Sequence, residues 1–222
     1  MGLIAKNESR VEIKKIEDGV YTAVSTMLID LGIQQNDTFK KKQRKIMIVW
    51  EILGETIEID GKELPRIISK EYTLSLGEKS TLRKDLQAWR GRAFSTDELE
   101  GFDLINILNV PCQIQIINVE NNEKTYPNIA AIMAMPKGMT VEGTEETIYF
   151  NTYDPETWSA FSKIPKWIQD KIRKCENVSD NQLDLFIKQY DELIETEKEQ
   201  KTETNKTLIE ETPEIPQDGL PF

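Results

Sequence analysis

Ser80-Thr-Leu-Arg-Lys-Asp-Leu-Gln-Ala-Trp-Arg90-Gly91 is the stretch on which the reading of the fold turns. Leu82, Leu86 and Trp89 recur at i, i+4 and i+7, which is one face of a helix. Ser80 stands where an N-cap belongs, and Gly91 where the chain can leave the helix through a left-handed turn. On both sides of this helix the apolar period is two, not 3.6.

Upstream, residues 20–31 are rich in β-branched and aromatic types and read as a strand. Residues 45–53, Lys-Ile-Met-Ile-Val-Trp-Glu-Ile-Leu, read as a second strand, mostly buried. Between them, residues 32–44 are polar and end in Phe39-Lys-Lys-Lys-Gln-Arg44, which reads as a mobile basic loop. Thr56-Ile-Glu-Ile59 followed by Asp60-Gly61 is a hairpin signal, and residues 66–76 form a third strand. Downstream, a short helical piece spans 96–108. Pro111 opens an alternating strand, Cys112–Val119, which turns at Asn121-Asn122 and returns over 124–135, and Pro136-Lys137-Gly138 ends it. The order is three strands, a helix, then two strands. The expected fold is mainly β with added helices (β/α+β): a five-stranded OB-type barrel with a helix between strands three and four. The helix in that slot favours OB over an SH3-like barrel.

After residue 140 the chain changes character. Thr147-Ile-Tyr-Phe150 reads as an added edge strand, and Pro165 divides two short helices within 154–175. Ser179 with Gln182 makes a capping box for a helix carrying Leu183, Phe186, Ile187, Tyr190, Leu193 and Ile194 on one face. From Glu199 onward nothing can build a core. The expected organisation is residues 1–150 as the OB-fold domain and 151–198 as a helical extension packed on the barrel or on a partner chain. Residues 199–222 are expected to be a disordered acidic tail.

Composition narrows the chemistry. The 222 residues hold no histidine, which removes Ser-His-Asp and Cys-His catalysis and histidine metal sites. Cys112 and Cys175 stand far apart and read as two free thiols. No apolar run approaches the ~20 residues of a membrane span, and the N-terminus lacks a signal-peptide core. These features suggest a soluble, cytoplasmic protein. The net charge of −11 looks wrong for a nucleic-acid binder, but it is unevenly spread. Residues 176–222 carry 13 acidic and 4 basic residues, whereas residues 1–94 carry 17 basic and 14 acidic.

Three features suggest binding. The first is the run Lys40, Lys41, Lys42, Arg44 and Lys45, with Phe39 beside it, on a loop that borders the ligand face of an OB barrel. Lysines there neutralise phosphates whatever the sequence. The second is cations interleaved with rings: Arg66, Lys70 and Tyr72 on the third strand, Arg83, Lys84 and Arg90 on the helix, then Arg92 and Phe94, with Trp50 on the second strand. Single strands are gripped by that mixture, cations along the backbone and rings under the bases. The period-two company of Trp50 and the helix stripe containing Trp89 equally suit the core. The third is the end, Asp218-Gly-Leu220-Pro221-Phe222. A terminal ring and carboxylate with nearby acid suit a hydrophobic pocket rimmed by Arg or Lys.

That ending resembles the acidic, Pro-Phe-ending tip of bacterial single-stranded DNA-binding proteins. The runs Pro65–Leu76, Glu78–Leu86 and Trp89–Phe94 resemble a phage-encoded family of OB-fold single-strand binders from Gram-positive hosts. The resemblance implies a replication or recombination protein in the cytoplasm of a bacterial host cell. It would coat single-stranded DNA and recruit replication or recombination proteins through Asp218, Leu220, Pro221 and Phe222, with no cofactor. The chain has only Asp218 directly before the apolar tip, and the body does not align residue by residue with bacterial single-strand binders, so tetramer formation is not implied and homo-oligomerisation stays open. Two rival readings stand beside it. A magnesium nuclease would need Asp60, Glu63 or Asp85, which show no paired spacing. A phage interaction or inhibitor protein would act on a host factor without binding DNA.

Overall fold

Five consecutive apolar residues, Ile46 to Trp50, are all buried, so the strand that holds them must be covered on both faces. This strand, β2 (Lys41–Ile59), is the spine of the structure, a computed structural model that describes residues 15–36, 41–59, 61–121, 124–141, 146–179, 181–189 and 192. β1 (Gly19–Asn36) pairs antiparallel with one edge of β2, and β3 (Lys62–Thr73) with the other. The free edge of β1 is shared. β4 (Pro111–Asn121) takes it antiparallel over Gly19–Val24, and β6 (Ile148–Phe150) takes it parallel over Met27–Ile29. β5 (Lys124–Met133) completes a hairpin with β4. The path is β3-β2-β1-β4-β5, an antiparallel sheet curled into a half-barrel, with β6 added off the path.

The expected helix is present as α1 (Thr81–Arg90), and it buries Leu82, Leu86 and Trp89. Ser80 holds the N-cap position, but its hydroxyl donates to the Ser75 carbonyl rather than capping the helix. Gly91 ends the helix at φ 67°, as a left-handed C-cap does. The expected helical piece at 96–108 is broken at Gly101 into α2 (Thr96–Glu100) and a 3₁₀ turn (Leu104–Ile107). A 3₁₀ helix (Pro155–Lys163) and α3 (Lys166–Ile172) lie on either side of Pro165.

The buried residues form two apolar layers. The inner one fills the curl, with Ile46, Ile48, Trp50 and Ile52 of β2 against Ile68, Leu86, Trp89, Ile114 and Ile132. The Trp89 indole N–H donates to the Pro111 carbonyl at 3.1 Å, tying α1 to the start of β4. The outer layer lies on the other phase of the same strands. Ile29, Leu31, Met47 and Val49 are buried there, as are Phe150, Phe161, Ile164, Ile168 and Ile172 of the segment that follows β5. Contacts of α3 with β1 and of the 3₁₀ helix with β6 hold that segment over the sheet.

One sequence expectation is overturned here. Residues 32–44 are not a loop: Gly32 to Asn36 pair with Lys45 to Lys41, so the two strands run on as a ribbon. The polar pattern misled because a ribbon that leaves the sheet has no core to face. Only 37–40 stand between the strands, and Phe39 and Lys40 lie outside the described residues. The hairpin at Asp60-Gly61 is where it was expected, with Ile59 opposite Lys62 and Gly61 at φ 74°.

The chain divides into two units, Met1–Val178 and Ser179–Phe222. In the second, residues 181–189 are helical, and the Ser179–Gln182 capping pair is formed in both directions. Residues 199–222, with Asp218, Leu220, Pro221 and Phe222, lie outside the described residues. No helix among the described residues is long and apolar enough to cross a membrane.

Candidate nucleic-acid interface

The β1–β2 ribbon leaves the sheet at a bulge between Asp30 and Gly32. Gly32 has φ 71°, and a Cβ there would meet Asn177 Oδ1 at 2.3 Å and Cys175 Cβ at 2.7 Å. Only glycine fits, because the conformation and the close approach both exclude a side chain. Asp30, buried beside it, accepts from the Gly32 N–H at 3.0 Å, from the Thr152 hydroxyl at 2.5 Å and from Arg44 Nη2 at 2.8 Å. Arg44 also donates to Asn151 Oδ1 at 3.0 Å and lies 4.3 Å from the centre of the Tyr153 ring. Its guanidinium therefore holds the root of the ribbon, where a buried carboxylate needs that fork.

The other ribbon cations differ. Lys42 pairs with Glu176 at 2.7 Å, Lys45 donates to the Thr73 hydroxyl at 2.9 Å, and Lys41 is exposed. Beside them runs an open groove of about 700 Å³, lined by Gln43, Lys45, Thr73, Lys79 and Ser80 among others. Its walls are the end of the β2–β3 pair and the turn that enters α1. Lys171 of α3 bridges to Glu71 at its rim at 2.7 Å. Sequence reasoning missed Lys79 and Lys171. Lys79 could have been found, since it directly precedes the expected helix start. Lys171 could not, because its neighbours come from strands 100 residues or more earlier.

The third-strand residues face inward. Tyr72 is buried, and its hydroxyl donates to Asp85 Oδ2 at 2.8 Å. Lys70 bridges to the same carboxylate at 2.7 Å and reaches the Ile129 carbonyl of β5 at 3.4 Å. Burial, then the Asp85 charge and hydrogen bond, push the Tyr72 phenol far above its ordinary value. The three groups clamp β3 to α1 and β5, so the expected role of Tyr72 as an open stacking ring is corrected, and Lys70 is paired with Asp85. Trp50 is corrected likewise: it is fully buried, 5.7 Å from Trp89 centre to centre, on the inner phase of β2 with its isoleucines.

At the C-terminal end of α1 a third group forms. Arg90 lies 4.4 Å from the Phe94 ring centre and 4.9 Å from that of Phe102, and pairs with Glu98. Arg92 binds the same carboxylate at 2.8 and 2.9 Å. Glu98 also accepts from the Ser95 N–H and caps α2. The Arg92 hydrogen bond first, then those from Ser95 and Arg90, hold the Glu98 carboxyl down at about 2. Phe94 is buried against Phe102, so it offers no face to a base. Arg83 donates to Gln87 and to the Leu76 carbonyl, Lys84 is exposed on α1, and Arg66 is half-buried on β3. The structure thus gathers Lys41, Lys42 and Lys45 at the ribbon and groove, sets Arg90, Arg92 and Phe94 a helix length away (~15 Å), and leaves Arg66 and Lys84 apart.

Other chemistry finds little footing. Among the described residues no three His, Cys, Asp or Glu side chains are grouped to hold a metal ion. Asp85 is engaged by Tyr72 and Lys70, Glu63 accepts from Thr56, and Asp60 lies outside the described residues. Burial pushes the Cys112 thiol up to about 12, which keeps it protonated and unreactive near neutrality. Compared with family models, with curated proteins and with solved structures, the chain matches none.

Proposed function

We propose that this chain is an OB-type single-stranded DNA-binding protein of phage replication or recombination, working in the host cytoplasm and not as an enzyme. The observation that carries the reading is the strand order β3-β2-β1-β4-β5 with α1 touching both β3 and β5. An OB barrel requires that order, with a helix closing the barrel where strands three and five meet. The groove supports it with Lys45 and Lys79 in its lining, and the ribbon with Lys41 and Lys42.

The path of the strand follows from what is left open. Over Met27–Leu31 of β1 and Met47–Val49 of β2 the outer face is filled by the outer apolar layer, so bases do not lie there. Phosphates track the groove and the ribbon, and exposed rings do the stacking. Tyr153, beside Arg44, is one such ring, and Trp167 of α3 is another. Asp218, Leu220, Pro221 and Phe222 dock on replication or recombination proteins, and deleting Leu220–Phe222 should abolish partner capture while sparing DNA binding.

Fluorescence titration with oligo-dT tests the reading. Trp50, Trp89 and Trp158 are buried, so quenching by dT reports Trp167. About four phosphate contacts imply a log–log salt slope near −3, a loss of roughly 50-fold in affinity between 50 and 200 mM salt. Replacing Lys41, Lys42 and Lys45 together with Ala should flatten that slope to about −1 without changing stability. A second reading, a protein acting on a host factor without DNA, is favoured by the pairing of Lys42, Arg44, Lys70, Arg90 and Arg92 with carboxylates. Absence of any dT binding in dilute buffer would select it.

A further inference from the structure

Where α1 ends, the Arg90–Glu98–Arg92 group borders an open cavity of about 430 Å³. That volume is in the range of small-ligand sites. Phe102, Val110, Pro111 and Met135 give it apolar walls, and Arg90, Arg92, Glu98 and Asn106 supply its polar atoms. Those polar groups are not equally spent. Arg92 gives both terminal nitrogens to Glu98, whereas Arg90 gives it only Nη2. Arg90 Nη1 is buried and has no hydrogen-bond partner. The guanidinium lies against the Phe94 and Phe102 rings, with only 15% of the side chain in water, so solvent does not serve that donor. A buried charged donor is costly to leave unmet. Asn106 donates through Nδ2 to the Asp103 carbonyl at 3.0 Å. That bond fixes the amide and leaves Oδ1 as an acceptor with no partner among the described residues.

We propose that this cavity takes one unstacked base of a bound single strand, with a ring carbonyl facing Arg90 and a ring N–H facing Asn106. Charge selects a neutral occupant over an anion. Glu98 lines the same cavity, and a phosphate or carboxylate placed there would face its charge at short range. A carbonyl oxygen accepts from Nη1 without that repulsion. A plain hydrocarbon would suit the walls but leave the donor unmet. The polar edge also discriminates. Thymine and guanine carry a carbonyl beside a ring N–H, whereas cytosine and adenine present a bare ring nitrogen at that place. The position suits a strand held elsewhere by its phosphates. α1 begins at the groove, where Ser80, Thr81 and Leu82 line it, and ends at the cavity about 15 Å on. The inference rests on the single-strand reading and adds to it a site that reads a base.

Fluorescence anisotropy of the full chain with end-labelled oligo-dT and oligo-dC of equal length tests it. Wild type should bind dT at least about fivefold more tightly than dC. Asn106→Ala should remove that preference by weakening dT while leaving dC unchanged. Met135→Trp fills the cavity and should weaken dT about tenfold. Neither variant loses a phosphate contact, so both should keep the wild-type salt slope. A thermal melt checks that each is folded. Asn106 is exposed on the 3₁₀ turn, so Asn106→Ala decides the matter even if filling the cavity disturbs the packing. A wild type that binds dT and dC alike overturns the proposal and leaves the single-strand reading standing. So does a folded Asn106→Ala variant that binds dT as tightly as wild type, or a salt slope that flattens with the loss of affinity, which would put a phosphate in the cavity. A wild type that binds neither oligonucleotide ends the single-strand reading itself, and this site with it.

Discussion

The outer face of the sheet has two halves, and they differ in what lies over them. Over Met27–Leu31 of β1 and Met47–Val49 of β2 it forms part of the outer apolar layer with residues 148–178, and Ile29, Leu31, Met47 and Val49 are lost from water. Over Gly19–Thr22 of β1, β4 and β5 the described residues of the first unit leave it bare, and Val20, Ile117, Val119 and Tyr126 remain in water. The side chains are of one kind. The difference lies in the pattern around them. β2 runs apolar at every position from Ile46 to Trp50, whereas β4 alternates, Cys112-Gln-Ile-Gln-Ile. A continuous run announces a strand covered on both faces, and alternation announces one wet face. An apolar residue in the wet phase of an alternating strand is therefore the exception that asks for a partner.

Matched truncations give the sharpest contrast. Met47→Ala removes atoms from a layer with no room to collapse and should cost about 2–5 kcal/mol. Val119→Ala, on the bare half, should change stability by no more than about 0.5 kcal/mol. Urea denaturation of both variants measures the gap. Equal costs would mean that the two halves are covered alike, and the comparison would fall.

The next effect concerns how the cover is fastened. Arg44 and Thr152 meet at Asp30, and Asn177 donates to the same Thr152 hydroxyl, so one buried carboxylate joins the ribbon root to the covering segment. Arg44→Ala leaves that charge without its cation. A fully buried pair broken this way costs about 3–5 kcal/mol; Arg44 keeps about a third of its side chain in water, so about 2–3 is expected. Arg44→Lys should recover only part, since an ammonium cannot repeat the bidentate fork. Lys41→Ala, three residues away along the same strand, should leave the denaturation midpoint unchanged. A neutral Arg44→Ala would show that the cover is held by packing alone.

How far the fold could be read from sequence follows the same physics. α1, the Asp60-Gly61 hairpin, the alternation of β4 and the helices on either side of Pro165 were legible because each is written in local spacing. The end of β1 and the start of β2 were not, because their side chains are mostly polar and half-buried or exposed on both phases, and so leave no apolar period. The candidate site suffered most. Trp50, Tyr72 and Phe94 were legible as rings, but a ring looks the same in a core as on a DNA face, and the company of Ile46, Ile48 and Ile52 was the better guide. Arg44, Lys70 and Arg90 looked like free cations because their carboxylates, Asp30, Asp85 and Glu98, become their neighbours only in the folded sheet. Tyr153 and Trp167 were passed over because nothing local shows that a segment after the barrel folds back beside the ribbon.

The smallest expected effect separates the halves by pH. Glu146, just before β6, pairs with Lys163 of the 3₁₀ helix at 2.8 Å, and that hydrogen bond with the lysine's charge holds the carboxyl below its ordinary range. A carboxyl depressed in the folded state stabilises it above the ordinary value, about 4.3, and that contribution fades as pH falls through the folded one. Both side chains are well exposed, so the pull is weak and screened by salt. Amide exchange compares the wild type with Glu146→Gln at each pH. Near neutrality the variant should exchange faster over Ile148–Phe150 and the following 3₁₀ helix, and the difference should vanish toward pH 3. Among the described residues β4 and β5 show no such tie, so their exchange should not distinguish the two proteins at any pH. A difference that spread into the β4–β5 hairpin would mean that the covered and bare halves open as one unit, and the division between them would be geometric rather than energetic.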